Sequence, residues 1–129
     1  MKTQITALVL ILALFFIACK KEEIPNDSII GKWRSSESLA DIGNGKGKWE
    51  PVSDKSLYVN FKENGILESP VFPTYTRYTL LDSVTISLIK SDNTYQNYRY
   101  YLVNDQLVMS PSYPIQCTEG CGSKFVRVK

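Results

Sequence analysis

Histidine is absent from the 129 residues of this chain. Without an imidazole, the chain has no histidine general base, no histidine ligand for zinc and no Ser-His triad. Paired carboxylates do not replace these groups, because Glu63, Asp82, Asp92 and Asp105 all fall at predicted turns, where solvated acids are expected. We therefore expect a protein that is not an enzyme and that uses neither a metal ion nor a cofactor.

The chain also lacks a strong excess of either charge, since it has 15 basic and 13 acidic side chains and a formal charge of +2. A surface this balanced offers no basic field for a phosphate backbone, so we expect no nucleic acid partner. The chain has the length of one domain. Eight tyrosines, five phenylalanines and two tryptophans, with no convincing amphipathic helix, favour β-strands.

The first 18 residues have the pattern of a secretory signal peptide. Lys2 supplies a positive charge, residues 5–18 carry none, and the small residue Ala18 precedes Cys19. A transmembrane helix is disfavoured, because the uncharged stretch is shorter than the ~20 residues that a bilayer core requires. Phe-Ile-Ala-Cys at residues 16–19 resembles the bacterial lipobox, which implies cleavage after residue 18 and lipidation of Cys19. Several acyl chains, at ~0.8 kcal/mol per buried CH₂, would then hold the protein on a membrane.

Residues 19–28 are polar, contain Pro25 and show no apolar period, which predicts a flexible tether. Two lysines and two glutamates follow Cys19 directly. This arrangement resembles the surface-export signal of Bacteroidetes lipoproteins and implies a lipid-anchored protein of the outer membrane that faces the cell surface. A solvated spacer on the periplasmic face is an equally good interpretation, since runs of charge are usually solvated.

From residue 29 onward, short alternating segments are separated by Gly, Asn, Asp, Ser and Pro, as in antiparallel strands joined by hairpins. Asn64-Gly65 is the clearest turn, because it supplies the positive φ that a tight hairpin requires. The pattern predicts strands at residues 30–39, 57–61, 66–68, 83–89, 94–103, 106–109 and 123–128, with weaker ones near Trp49 and at residues 75–80. About eight strands predict an all-β domain over residues 29–129, a small antiparallel meander β-barrel.

Three motifs in this domain resemble those of lipocalin-like domains in Bacteroidetes lipoproteins. They are Gly31-Lys32-Trp33 on the first strand, the hairpin from Phe61 to Gly65, and the closing segment from Phe125 to Val128. The resemblance implies a lipocalin-like barrel that is closed at one end, where Arg127 packs on the indole ring of Trp33. Strand parity argues against that contact, because Val126 and Val128 are the expected inward-facing residues of the last strand.

Cys117 and Cys121 enclose three residues just before the last strand. With Cys19 taken by lipid, an even count of cysteines remains in an oxidising compartment, which favours a disulfide over free thiols. A redox or metal pair has less support, since the spacing differs from Cys-x-x-Cys and no further ligand completes a zinc set.

Tyrosines are concentrated between residues 95 and 101. Strand alternation places Tyr98 and Tyr100 on one face, and with Tyr58 they are the candidate lining of a ligand site inside the barrel. Cross-strand packing of tyrosines is the simpler interpretation. The sequence thus favours a lipid-anchored cell-envelope module that binds an apolar or amphipathic small ligand. The alternative is a protein-interaction or structural module with a filled barrel, whose protein partner the sequence does not identify.

Overall fold

A computed structural model describes residues 28–41, 43–118 and 120–129 of the chain. The predicted signal peptide, Cys19 and all of the predicted tether except Ser28 lie outside the described residues. Within the described segments, no helix has the length and apolarity needed to cross a membrane. The described residues therefore correspond to the predicted barrel domain.

The described residues form nine β-strands, and every pairing between them is antiparallel, as the alternating pattern predicts. The strands are β1 (Gly31–Ala40), β2 (Lys48–Pro51), β3 (Tyr58–Phe61), β4 (Leu67–Glu68), β5 (Tyr75–Leu80), β6 (Thr85–Lys90), β7 (Tyr95–Val103), β8 (Gln106–Tyr113) and β9 (Cys121–Arg127). Eight of them follow the order β4-β3-β1-β9-β8-β7-β6-β5, and β2 pairs with the second half of β1.

The two ends of this strand order come together, so that the sheet nearly closes into a barrel. A β-bridge joins Ile66, beside β4, to Arg77 in β5. The Tyr78 amide also donates a hydrogen bond to the Gly65 carbonyl at 2.9 Å. The fold is thus an all-β meander barrel, and its shape is compatible with a lipocalin-like domain.

The barrel has two ends, and the chain reaches them by different connections. Because neighbouring strands are antiparallel, one end carries Ser28, the end of β9, and the turns β3–β4, β5–β6 and β7–β8. We call it the tether end. The connections β1–β2, β4–β5, β6–β7 and β8–β9 lie at the opposite end, which we call the distal end.

Inward-facing side chains occupy the interior of the barrel. The fully buried ones are Trp33, Val59, Phe61, Ile86, Leu88, Leu107, Met109 and Phe125. They belong to one continuous cluster, in which the rings of Phe61 and Tyr78 meet edge to face with centroids 5.0 Å apart. Burial of such a side chain stabilises the fold by roughly 1.5–3 kcal/mol, so this cluster is the main source of stability.

The strands follow the predicted positions closely, with one exception. The turn at Asn64-Gly65 is present, with a φ of +79° at Gly65. The exception is β8, which the sequence predicts to end at residue 109 because Pro111 is typical of a loop. A register shift just before Tyr98 sets Pro111 opposite that residue, so the strand continues to Tyr113 past a residue that has no amide hydrogen.

Candidate functional site

The tyrosines of β7 divide between the two faces of the sheet as strand alternation predicts. Tyr98 and Tyr100 face the interior, where Tyr100 is buried and Tyr98 packs on Phe72 with 5.3 Å between ring centroids. Arg99 and Tyr101, by contrast, are exposed. The inward tyrosines are therefore part of the packed interior.

Burial raises the pKa of both inward hydroxyls. The pKa of Tyr98 rises to about 12, first because burial disfavours the phenolate and second because Tyr75 is nearby. The pKa of Tyr100 also rises, through burial and then through the negative charge of Asp82. Both hydroxyls are neutral at physiological pH, so they can form hydrogen bonds but cannot act as bases.

Tyr58 lies elsewhere, and the structure does not bring it together with Tyr98 and Tyr100. Val59 and Phe61 are the buried residues of β3, so strand alternation turns Tyr58 to the outer wall. There Lys32 Nζ lies 4.0 Å from the centroid of its ring.

A shallow groove of about 350 Å³ surrounds Tyr58 on the outer wall. It is lined by Lys32, Arg34, Lys55, Ser56, Tyr58 and Val128. We call it the outer groove. Its three cationic side chains and its aromatic and aliphatic walls suit an anionic group attached to an apolar body.

Trp33 and Arg127 meet at the tether end. They are cross-strand partners in β1 and β9, and the guanidinium carbon lies 4.1 Å from the centroid of the Trp33 ring. The indole N–H donates to the Ile29 carbonyl at 2.7 Å. The guanidinium donates to the carbonyls of Ser28 at 2.6 Å and Ile30 at 3.2 Å. The contact thus ties the start of the domain to its last strand.

The inward face of β9 is the opposite of the expected one, so the prediction that Val126 and Val128 face the core is wrong. Phe125 is fully buried and Arg127 shares its face, whereas Val126 is half-buried and Val128 is exposed. Alternation alone was compatible with either face. Phe125 decides between them, because its ring removes more apolar surface from water than a valine does.

Cys117 and Cys121 form a disulfide in the β8–β9 connection, as their even count predicts, and their Cα atoms are 5.8 Å apart. Cys121 is also the first residue of β9, where it pairs with Ala40 of β1. The bond therefore fastens the distal connection to the sheet.

Sequence reasoning did not identify a group of exposed apolar side chains at the distal end. It consists of Tyr95 at the start of β7, Tyr113 at the end of β8 and Ile115 just beyond. The two tyrosine rings lie 6.3 Å apart, and 72% of Ile115 is exposed. We call these three residues the distal patch. Their proximity depends on the pairing of Asn97 with Tyr113, which the sequence does not reveal.

Gln96 holds the backbone of the distal patch in place. Its side chain is buried, and its amide nitrogen donates to the carbonyls of Ile115 at 2.7 Å and Asn97 at 3.0 Å. Its amide oxygen accepts from the Ile115 N–H at 3.2 Å. A buried amide that satisfies both backbone groups of one residue fixes the position of that residue.

Four aspartates are engaged in the turns where they occur, and this lowers their pKa values. For Asp41 and Asp82 the largest cause is a hydrogen bond from a backbone amide, that of Gly43 and that of Val84 respectively. For Asp54 and Asp92 the largest cause is a hydrogen bond from a side-chain hydroxyl, that of Ser56 and that of Thr94 respectively. These carboxylates are ionised turn residues. Across residues 28–41, 43–118 and 120–129, no three His, Cys, Asp or Glu side chains are grouped so that they could hold a metal ion.

No protein-family model matches the chain. No curated protein matches it either. The interpretation of function therefore depends on the barrel, the distal patch and the outer groove.

Proposed function

We propose that this chain is a lipid-anchored interaction module of the cell envelope. In this proposal Cys19 carries the lipid and residues 19–28 are the tether. The barrel is a lipocalin-like domain of the kind found in Bacteroidetes lipoproteins. The outer membrane holds it on the periplasmic face or at the cell surface, where it presents a rigid surface to a protein partner.

The filled interior is the observation that carries this proposal. Phe72, from the β4–β5 connection, packs on the core and contacts the rings of Tyr98 and Phe125, with centroid distances of 5.3 and 6.4 Å. Ser69 holds this connection, because its hydroxyl accepts from the Val71 and Phe72 amides at 3.1 and 3.0 Å. A ligand that contacted Tyr98 and Phe125 inside the barrel would have to displace Phe72.

The contacts inside the barrel favour a filled domain over a small-molecule container. Ligand-binding barrels enclose a hollow of hundreds of cubic ångströms. Here Trp33 and Arg127 occupy the tether end, and Phe72 packs on the core beside Tyr98 and Phe125. We therefore assign the binding function to the outside of the barrel.

The distal patch is the surface that we assign to the partner. Exposed tyrosines are enriched in protein interfaces, because they offer a large apolar area at a low cost in side-chain entropy. Gln96 and the disulfide between Cys117 and Cys121 hold the patch in one conformation before binding. Such preorganisation reduces the entropy lost on association.

Mass spectrometry of the protein purified from its own membranes tests this function. We expect acyl chains on Cys19 and, under native conditions, a complex of fixed stoichiometry with a second polypeptide. Tyr113→Ser should abolish the complex, whereas Tyr101→Ser, on the outer wall of β7, should leave it intact. An unmodified Cys19, or a complex that survives Tyr113→Ser and Tyr95→Ser, would contradict the proposal.

A small amphipathic anion is the second candidate ligand, because the outer groove places Lys32, Arg34 and Lys55 around the ring of Tyr58. The same native spectra distinguish it from a protein partner. A co-purifying small molecule that is retained in Tyr113→Ser but lost in Tyr58→Ser would assign the function to the outer groove.

A further inference from the structure

The tether end of the barrel carries exposed apolar side chains in or directly beside each of its turns. Ile66 belongs to the β3–β4 turn, Leu81 and Val84 to the β5–β6 turn, Val103 precedes the β7–β8 turn, and Val128 follows β9. Leu80, the last residue of β5, is exposed beside them. An isolated exposed valine has no significance, but apolar residues repeated in every turn at one end form a surface.

The connections at the distal end have a different composition. The β6–β7 turn reads Ser91-Asp92-Asn93-Thr94, and the described part of the β1–β2 connection consists of Asp41 and Gly43-Asn44-Gly45-Lys46-Gly47. In the β4–β5 connection, Val71 and Phe72 turn inward and pack on the core. Apart from the distal patch, the described large apolar side chains that are exposed in or beside the turns are at the tether end.

We propose that the tether end lies against the membrane surface, with the side chains of its turns inserted at the level of the lipid headgroups. This inference depends on the anchor at Cys19 in the proposed function and adds an orientation to it. The distal patch then points away from the membrane, toward a partner.

The position of the tether is the reason for assigning this surface to lipid. Ser28 is held at the tether end by the hydrogen bond from Arg127 at 2.6 Å. Ser28 is nine positions after Cys19, and an extended chain of that length spans roughly 30 Å at most. A lipid at Cys19 therefore keeps this end close to the bilayer, where even weak apolar contacts are populated.

Each turn at the tether end also carries an acidic side chain, and two of the three acids have a partner within this end. The Asp82 carboxylate turns back to accept from the Val84 amide at 2.8 Å, and Asp105 lies 3.9 Å from the Arg127 guanidinium. Glu63 is exposed in the β3–β4 turn, and the neighbouring Lys62 forms an ion pair with Glu68. Because acids and bases are mixed, we expect apolar insertion and not attraction to anionic lipid to hold the surface.

Quenching of introduced tryptophans by brominated lipids tests the orientation. The mature chain from Cys19 onward is coupled through that thiol to a maleimide lipid in vesicles of phosphatidylethanolamine and phosphatidylglycerol, so the test does not require lipidation in the cell. Leu81→Trp and Val84→Trp each place a reporter at the tether end, and Ile115→Trp is the matched distal control. The unsubstituted protein corrects for Trp33 and Trp49.

Brominated lipid should reduce the added fluorescence of Leu81→Trp and Val84→Trp and leave that of Ile115→Trp unchanged. Equal quenching at all three positions, or none at the tether end, would overturn the orientation. A dimer in solution that Leu81→Ser abolishes would also overturn it and assign the surface to a second copy. Failure of the anchor is recognised separately, as an unmodified Cys19 in protein from the native membrane.

Discussion

The guanidinium of Arg127 covers the indole of Trp33 and at the same time donates to the carbonyls of Ser28 and Ile30. One side chain thus joins the first strand, the last strand and the chain that precedes the barrel. The two side chains are therefore energetically coupled, because removing the Trp33 ring leaves the Arg127 guanidinium without its stacking partner, and removing the guanidinium leaves the ring without its own.

We expect Trp33→Ala to lower the free energy of unfolding by about 3–5 kcal/mol and Arg127→Ala by about 1–3 kcal/mol. Their coupling should be about 0.5–2 kcal/mol, the range of a stacked cation on an aromatic ring. A double-mutant cycle by urea unfolding measures it, with Arg99→Ala as a control within about 0.5 kcal/mol of the parent. Strictly additive losses would show that the two side chains act independently. Trp33→Phe replaces the alanine variant if that protein does not fold.

Reduction of the disulfide should have a modest effect. Cys117 and Cys121 are separated by only four positions, so the bond restricts a short loop of the unfolded chain. The expected loss is about 2 kcal/mol, measured as the difference in unfolding free energy between the parent and the Cys117→Ser/Cys121→Ser variant. A loss several times larger would mean that the bond supports the barrel itself and not only its distal connection.

The raised pKa of Tyr98 makes stability depend on alkaline pH. In the unfolded chain this phenol ionises near its ordinary pKa of 10, whereas in the fold it keeps its proton up to about pH 12. Its contribution to stability is therefore complete below pH 10 and is lost as the pH rises through about 12. We expect Tyr98→Phe to lose less unfolding free energy than the parent between those pH values. Identical pH profiles would contradict burial of the Tyr98 hydroxyl.

Replacing Gln96 should loosen the distal patch. Gln96→Leu has a similar volume but leaves the N–H and carbonyl of Ile115 without their side-chain partners, at a cost of about 1–3 kcal/mol. Hydrogen exchange at the Ile115 amide should become faster, while exchange in the β1–β9 pair should follow global stability alone. Ser87→Ala, at another buried polar residue, is the comparison variant. Unchanged protection of Ile115 would mean that the disulfide alone orders this segment.

Most of the barrel could be predicted from the sequence, because hydrophobic alternation and turn residues are local signals. The Asn64-Gly65 turn and the division of Tyr98 and Tyr101 between two faces follow from them directly. The sequence predicts a β8 shorter than the observed strand. Pro111 can lie within β8 only because the pairing with β7 shifts register there, and the sequence does not reveal that shift. The prediction assigns the wrong face of β9 to the interior, because the alternation of Val126 and Val128 does not by itself show which face is buried. The burial of Phe125 decides it.

The candidate sites were harder to predict for the same physical reason. Tyr58 was grouped with Tyr98 and Tyr100 by residue type, yet its face is set by its neighbours Val59 and Phe61. The distal patch joins residues of three segments, and only the pairing of β7 with β8 brings Tyr95 and Tyr113 together. Sites of this kind depend on contacts between distant parts of the chain.

The pairing of β1 with β9 determines when the domain can fold. Trp33 is opposite Arg127, so β1 lacks one of its two neighbouring strands until β9 has been synthesised. Such non-local pairing makes folding slow. In the proposed function the chain is secreted, and a chain that cannot complete its sheet before β9 emerges from the ribosome stays open enough to pass through a narrow channel. The barrel would then close on the far side of the membrane, once its last strand has crossed.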